Sequence, residues 1–189
     1  AEAHVEKLMV AAAMLLRLRG TPFLYYGEEI GMRDIYVSRS EIQDPVGRHY
    51  WPLPVGRDGC RSPMQWDASG SAGFTTGKPW LKVHPNYPSR NVEQQLSNPR
   101  SLLNFYRKLL RLRREHRAIQ QGMFIPLIHN PQRVLAYLRQ DDNEILLVAL
   151  NFARRASKLA LGGEITRANW EVLLSNREKN QPSIEKGWL

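Results

Sequence analysis

The spacing of the hydrophobic residues changes near Gly122, and this change limits the possible folds more than any other feature of the chain. Before Gly122, residues 3–18 and a second segment that Asn98 opens and caps carry apolar residues at helical spacing. After Gly122, short runs typical of β-strands alternate with turn residues. The spacing therefore predicts an α/β region over residues 1–122 and an antiparallel all-β region over residues 123–189. The predicted strands are residues 123–128, 134–139, 144–151 and 157–161, with a further candidate at 170–174, and the predicted turns contain residues 130–131, 141–143 and 162–163.

Between the two predicted helices, residues 21–27 form a short apolar and aromatic run that ends at Gly27. Such a run is typical of a strand that is buried on both faces. Helix, turn and buried strand together make half of a parallel βα unit. Glu28 and Glu29 follow at once, at the end of the strand where parallel α/β folds have their functional crevice.

Residues 31–90 show no sustained periodicity and hold most of the prolines, together with several aromatic residues. A stretch of this length is usually a functional loop or a disordered one, and its aromatic side chains favour an ordered loop. Within it, Arg57 and Arg61 flank Asp58. The planar fork of an arginine suits bidentate bonding to a carboxylate or to paired sugar hydroxyls. The run therefore indicates either a loop that grips a sugar ring or a loop that is pinned by internal Arg–Asp ion pairs.

The net charge of +9 and the pI of about 10 admit nucleic acid as a partner, because a basic balance attracts anions. The cations are dispersed, however, and the densest run, residues 111–117, is interpreted as a solvated helix face. The sequence has no Gly-rich phosphate loop, no aromatic RNA-binding signature and no Cys/His finger spacing. We therefore expect no nucleic-acid partner.

Other partners and compartments are limited by what the sequence lacks. Cys60 is the only cysteine, which excludes an intrachain disulfide framework and a cysteine-rich zinc site. The longest apolar stretch, residues 8–16, is far shorter than the ~20 residues that cross a bilayer, and no signal-peptide pattern accompanies it. These features predict a cytoplasmic protein with no membrane partner, no metal site and no cofactor.

Several long motifs, in order along the chain, resemble those of α-glucosidases in the α-amylase family of glycoside hydrolases. Residues 20–32 are similar to the last barrel strand of that family, residues 56–66 to its arginine loop, and residues 101–110 to its last barrel helix. The short segment 42–47 is closer to maltose-type α-glucosidases than to oligo-1,6-glucosidases, whose loop is longer. Further matching segments are residues 72–80, 85–87 and 91–95.

The resemblance implies a fold of two parts. Residues 1–122 would be the C-terminal end of a (β/α)8 TIM barrel, from the helix after the seventh strand onward. Residues 123–189 would be most of a C-terminal antiparallel β-sandwich domain. Because the resemblance begins only after the seventh barrel strand, and because four or five predicted strands are fewer than the seven that close a sandwich, we expect the sequence to be truncated at both ends.

The resemblance also implies a function. Family enzymes are retaining glycosidases that use a carboxylate nucleophile, a glutamic acid/base and a second aspartate in an Asn-His-Asp motif, all on earlier barrel strands. No Asn-His-Asp occurs here, so we expect this chain to hold no catalytic residue and to be inactive alone. Its parent would hydrolyse terminal α-linked glucose from maltose or short malto-oligosaccharides. The alternative is a non-catalytic carbohydrate-binding module or a basic interaction module.

Individual residues take roles from the resemblance. Arg57 matches the family arginine that reaches the glucose at the non-reducing end. Gln43 and Asp44 lie where the family often has a residue near the leaving-group sugar, so they are candidate substrate contacts. The residues expected to brace the loop are Glu28, Glu29, Asp58 and Arg61.

Overall fold

The computed structural model describes residues 2–127, 133–159, 161, 165 and 169–177. They divide into two compact units: a sheet unit, Ala1–Pro22 with Phe105–Leu189, and a loop unit, Phe23–Asn104. The predicted domain boundary near Gly122 is a different division and stays a prediction. The helices of the described residues are α1 (Glu2–Arg17), α2 (Pro45–His49), α3 (Val92–Ser97), α4 (Leu102–Glu115) and α5 (Arg117–Gln121), and the strands are β1 (Met123–Pro126), β2 (Val134–Gln140) and β3 (Ile145–Asn151).

Both long helices form where the spacing predicts them, but the predicted cap of α4 is wrong. The Ser101 hydroxyl accepts a hydrogen bond from the backbone N–H of Asn104 at 3.1 Å, which is the bond of an N-cap. The Asn98 side chain instead accepts from the N–H of Arg100 at 3.0 Å and so closes a local turn. The cap therefore lies three residues later than predicted, because Asn98 ends α3 rather than opening α4.

Gly122 ends the helical part for a steric reason. Its φ of −61° is one that any residue adopts, so it is not a left-handed helix stop. A Cβ at this position would lie 2.5 Å from the carbonyl oxygen of Ala118 and 2.7 Å from that of Gln140. Glycine is required because α5 and β2 approach each other at its backbone.

The sheet is an antiparallel meander in the order β1-β2-β3. Met123 pairs with Gln140, and Val134 pairs with Asn151. The first three predicted strands are confirmed. The runs at 157–161 and 170–174 are not strands in their described residues, because an alternating pattern alone supplies no partner for the backbone N–H and C=O groups. Residue 160 and the predicted turns at 130–131 and 162–163 lie outside the described residues.

The prediction of a buried strand at residues 21–27 is wrong for this structure. The residues form no strand, and Phe23 is 86% exposed. A parallel strand requires neighbouring strands that take up its hydrogen bonds. In the described part of the chain, the three strands pair only with one another.

Arginines occupy the core of the sheet unit. Arg139, on β2, is completely buried and donates to the carbonyl oxygens of Gly122 at 2.9 Å and Arg17 at 3.4 Å. Arg113, on α4, donates to the carbonyl oxygens of Leu16 at 2.9 Å and Gly20 at 2.7 Å. These guanidinium groups therefore satisfy backbone carbonyls at and just beyond the end of α1 and, at Gly122, just after α5.

Two side chains of the same core have buried polar groups with no hydrogen-bond partner among the described residues, and Arg139 Nε is a further such atom. Arg17 is 6% exposed, and neither terminal nitrogen of its guanidinium is hydrogen-bonded. The hydroxyl of Tyr137, on β2, is likewise buried without a partner. Burial lowers the pKa of Arg17 to about 10 and raises the pKa of Tyr137 to about 12, because it disfavours the charged form of each.

The loop unit, residues 23–104, contains no strand, and its interior includes several buried polar side chains. Its apolar core is small, and fully buried Gln65 and Asn91 hold irregular backbone together. The Asn91 side chain caps α3 by accepting from the N–H of Gln94 at 2.9 Å, and it donates to the carbonyl oxygen of Tyr87 at 2.8 Å. Side-chain bonds of this kind satisfy backbone groups that have no ladder to join. The buried apolar residues of the unit are Ile30, Ile35, Ile42, Met64, Ala72, Leu81 and Leu102.

Candidate functional site

The candidate site begins at the short turn Glu28–Ile30, which two glycines frame. Gly27 has a φ of 87° and Gly31 a φ of 66°, both in the left-handed region that favours glycine. Within the described residues, the side chains of Glu28 and Glu29 make no hydrogen bond and no ion pair. The bracing role expected for these two glutamates therefore stays a prediction.

Arg90 and Gln95 hold this turn in the structure. Arg90 Nη1 donates to the carbonyl oxygens of Ile30 at 3.2 Å and Gly31 at 2.9 Å, and Gln95 Nε2 donates to Ile30 at 2.9 Å. Burial lowers the pKa of Arg90, and the nearby charge of Arg33 lowers it further. Neither residue was predicted from the sequence, because a single arginine before α3 or a single glutamine within α3 carries no spacing signal.

Two buried carboxylates join the two segments that carry the candidate substrate contacts. The backbone N–H of Arg57 donates to Asp44 Oδ2 at 2.7 Å. The backbone N–H groups of Gln43 and Asp44 donate to Asp58 Oδ2 at 2.6 and 2.9 Å. Asp44 is 6% exposed and Asp58 is 4% exposed. Each carboxylate thus fixes the backbone of the other's segment, and we call Asp44 with Asp58 the carboxylate clasp.

Asp44 also caps α2. Its Oδ1 accepts from the N–H of Val46 at 3.0 Å, and Pro45 occupies the first turn of the helix. The hydrogen bonds from the N–H groups of Arg57 and Val46 lower the pKa of Asp44, and the positive charges of Arg57 and Arg61 act in the same direction. Since backbone donors occupy both oxygens, a substrate contact by Asp44 stays a prediction.

Two glycines allow the segments to come close enough for the clasp to form. A Cβ on Gly56 would lie 2.9 Å from the Cα of Gly47, and a Cβ on Gly47 would lie 3.3 Å from the Cα of Gly56. Neither glycine has a positive φ. The requirement is therefore backbone contact between the segments rather than conformational freedom.

Arg57 is fixed at its backbone and free at its side chain. Its N–H is bound by Asp44, and its carbonyl oxygen accepts a hydrogen bond from Cys60 Sγ at 3.1 Å. Its exposed guanidinium makes no hydrogen bond and no ion pair with the part of the chain that the structure describes. An arginine on a fixed base with free donors can bind a ligand bidentately.

Internal Arg–Asp ion pairs do not pin this loop. Among the described residues, neither Arg57 nor Arg61 forms an ion pair with Asp44 or Asp58. The aspartates bind backbone N–H groups instead, which is bracing of a different kind. The Arg61 side chain lies beside the Tyr25 hydroxyl, and its own bracing role stays a prediction.

Gln43 is exposed beside the clasp. Its side-chain Nε2 donates to the carbonyl oxygen of Glu41 at 3.4 Å, and its substrate contact stays a prediction. Over the described ranges, no three His, Cys, Asp or Glu side chains come close enough together to hold a metal ion. None of the described helices is both long and apolar enough to cross a membrane.

Comparison with known proteins identifies the family. Residues 1–122 match the catalytic domain of alpha amylase, and residues 127–186 match the C-terminal domain of maltogenic amylase. The chain belongs to the alpha-amylase family. The resemblance that the sequence motifs indicate is thus confirmed, and the TIM barrel is the known fold of this family.

Relatives within the alpha-amylase family include named glucosidases. Over 94% of this chain, it is 35% identical to the oligo-1,6-glucosidase of Halalkalibacterium halodurans, covering 35% of that protein. Over 90% of this chain, it is 37% identical to the glucan 1,6-alpha-glucosidase of Streptococcus pneumoniae, covering 34% of it. The crystal structure of Bacillus licheniformis trehalose-6-phosphate hydrolase superimposes with a TM-score of 0.81 at 31% identity, over 94% of this chain and 36% of that one. The chain spans about a third of the length of the curated relatives it matches.

Proposed function

We propose that this chain is part of a retaining α-glucosidase that removes terminal α-linked glucose from maltose and short oligosaccharides. The family and the glucosidase names of its relatives support the reaction class. The observation that carries the proposal is Arg57, whose guanidinium makes no hydrogen bond to the described residues while its backbone is bound on both sides. This is the arrangement that a sugar-binding arginine requires.

The proposal assigns the two parts of the chain to two domains. Residues 1–122 would be the end of the catalytic barrel, and residues 123–189 the C-terminal β-domain. The two family matches meet between residues 122 and 127, which supports this boundary.

In the proposed reaction, this chain binds and orients but does no covalent chemistry. A carboxylate attacks the anomeric carbon while a carboxylic acid protonates the leaving oxygen, and water then hydrolyses the glycosyl-enzyme. Both groups would belong to other strands of the barrel. Arg57 would hold the terminal glucose through its paired hydroxyls, and Gln43 and Asp44 would lie near the leaving-group sugar.

The linkage preference is the finer part of the proposal. The short segment 42–47 favours maltose-type hydrolysis, whereas the first relatives are named for 1,6-linkages. The ratio of kcat/KM for maltose to that for isomaltose, measured on the whole protein, decides between them. A ratio above one supports the α-1,4 assignment, and a ratio below one contradicts it.

The test of the function is a pair of arginine variants in the whole protein. Arg57→Ala should lower kcat/KM for an aryl α-glucoside by about 100-fold, since charge-assisted bonds are worth roughly 1.5–3 kcal/mol each. Arg57→Lys should recover only part of the loss, because an ammonium lacks two parallel donors. Arg61→Ala is the matched control, and we expect it mainly to lower the melting temperature. Unchanged kcat/KM in the Arg57→Ala enzyme would remove the sugar-contact assignment.

The 189-residue chain by itself should not turn over maltose or a nitrophenyl α-glucoside. The reason is that none of the expected catalytic carboxylates lies in it. A matched mock purification controls for contaminating glucosidase. Turnover above that background would contradict the proposed division of labour.

A further inference from the structure

We propose that Asp44 is the positioning residue of Arg57, and that this position requires a carboxylate, whereas Asp58 can be replaced by an amide. The inference rests on the proposed function, because its kinetic readout is the sugar contact of Arg57. It differs from the sequence-based expectation for Asp44, which is a contact with substrate. The argument comes from how each carboxylate uses its two oxygens.

Asp44 uses both oxygens as acceptors for backbone donors. Oδ1 takes the N–H of Val46 at 3.0 Å, and Oδ2 takes the N–H of Arg57 at 2.7 Å. An asparagine has one acceptor and one donor at these places. Its amide NH2 would therefore face one of the two N–H groups, and only one of the two bonds could survive. Only the ionised carboxylate serves α2 and Arg57 together.

Asp58 uses its oxygens differently. Oδ2 accepts both N–H groups, from Gln43 and Asp44, while Oδ1 is buried and has no hydrogen-bond partner in the described part of the chain. An asparagine can keep its carbonyl oxygen in the Oδ2 place and put its NH2 in the Oδ1 place. The two backbone bonds would then remain. The isosteric change from Asp to Asn should therefore break a backbone hydrogen bond at Asp44 and none at Asp58.

The consequence for Arg57 is positional. The bond to Asp44 fixes the amide from which the Arg57 side chain departs, next to the close contact of Gly47 with Gly56. Losing that bond lets the base of the guanidinium move by a fraction of an ångström. A displaced sugar contact weakens substrate binding even when every catalytic group is intact.

The experiment compares Asp44→Asn with Asp58→Asn in the whole protein. Asp44→Asn should raise KM for an aryl α-glucoside about tenfold with a smaller change in kcat, whereas Asp58→Asn should change KM less than about threefold. Asp44→Ser is the second variant: a serine still caps α2 but cannot reach Arg57, so it should reproduce the KM effect in a folded protein. Equal KM changes in the two Asn variants would overturn the proposal.

Two further measurements distinguish positioning from general loosening of the loop. Combining Asp44→Asn with Arg57→Ala should add less than about twofold to the KM effect of Arg57→Ala alone, because the positioned group is gone. Hydrogen exchange of the Arg57 amide should accelerate in Asp44→Asn and Asp44→Ser but not in Asp58→Asn. Additive effects on KM, or an Arg57 amide that stays protected in Asp44→Asn, would overturn the proposal.

A different experimental result would show that the proposed function, rather than the positioning role, is wrong. If Arg57→Ala leaves KM and kcat unchanged, the sugar contact is wrong. The amide exchange experiment then still decides whether Asp44 fixes the backbone of Arg57. If Arg57→Ala is impaired and Asp44→Asn is not, the contact stands and the positioning role is wrong.

Discussion

The loop unit and the sheet unit both bury charged side chains, but not all of these charges have hydrogen-bond partners among the described residues. In the loop unit, the two aspartates of the clasp accept four backbone N–H bonds. In the sheet unit, the buried guanidinium of Arg17 has two terminal nitrogens without a partner. Burial alone therefore says little about what a charge does for the fold.

The difference follows from what the backbone needs in each place. β-strands satisfy their own N–H and C=O groups in a ladder, so these backbone groups need no charged side chain as a partner. An irregular segment has no ladder, and each buried N–H requires another acceptor. Carboxylates are strong acceptors for such N–H groups. The loop unit thus depends on its clasp carboxylates, whereas in the sheet unit the buried Arg139 serves carbonyl oxygens outside the ladder and the buried Arg17 side chain serves none among the described residues.

The largest effect should come from removing an acceptor in the loop unit. Asp58→Ala leaves the N–H groups of Gln43 and Asp44 without a partner, which should lower the free energy of unfolding by about 3 kcal/mol. Exposed Asp34 in the same unit is the control, and Asp34→Ala should change stability by less than about 0.5 kcal/mol. Chemical denaturation of the purified proteins measures both. Equal losses would mean that the clasp is not the organiser of the loop.

In the sheet unit, Arg139→Met should cost less. It removes the donors to the carbonyl oxygens of Gly122 and Arg17 but keeps a long apolar side chain in the core. We expect a loss of about 2 kcal/mol in the same denaturation experiment. A loss larger than that of Asp58→Ala would reverse the comparison between the two units.

Arg17→Met should have the opposite sign. The charged group that it removes is buried and has no hydrogen-bond partner for its terminal nitrogens, so the folded state loses a desolvated cation and no bond. Replacing buried ionic groups by apolar side chains is often neutral or stabilising, and we expect a gain of about 1 kcal/mol. Destabilisation by more than about 1 kcal/mol would show that this arginine does have a structural role.

The smallest effect belongs to Tyr137→Phe, and it appears with pH. Burial raises the pKa of Tyr137 to about 12, so the folded state keeps its proton when the unfolded chain has already released it. Stability from this residue is complete below about pH 10 and is lost as the pH rises through about 12. The variant should match the wild-type protein at pH 8 within about 0.5 kcal/mol and lose less stability above pH 10. Parallel pH profiles would contradict the buried, neutral phenol.

Elements whose pattern is local could be predicted from the sequence. Helices α1 and α4 and strands β1–β3 follow from spacing within one segment, and the turn before β3 follows from its Asp and Asn residues. Residues 21–27 could not be predicted in the same way, because burial of a parallel strand depends on partners far away in the chain. The cap of α4 shows a smaller version of this limit, since both Asn98 and Ser101 were suitable residues.

The candidate site shows the same difference between features with a local sequence pattern and features that depend on distant partners. The Asp44–Pro45 pair is a readable helix start, and the arginine run is readable as a loop that carries function. The hydrogen bonds that Asp58 accepts from backbone N–H groups 14 and 15 residues away could not be predicted, because no sequence spacing indicates them. Adjacent Arg and Asp residues suggest ion pairs, whereas in the structure the carboxylates accept hydrogen bonds from backbone N–H groups.

The contact between Gly47 and Gly56 has a consequence for engineering substrate preference. Loop lengths near a sugar site are an obvious target for grafting from one glucosidase to another. Here, residues 42–47 and the arginine loop meet backbone to backbone, so a graft of the first segment alone would bring a side chain or a shifted turn against the second. We therefore expect the two segments to be exchangeable only together, and a graft of residues 42–47 alone to lower the stability of the protein.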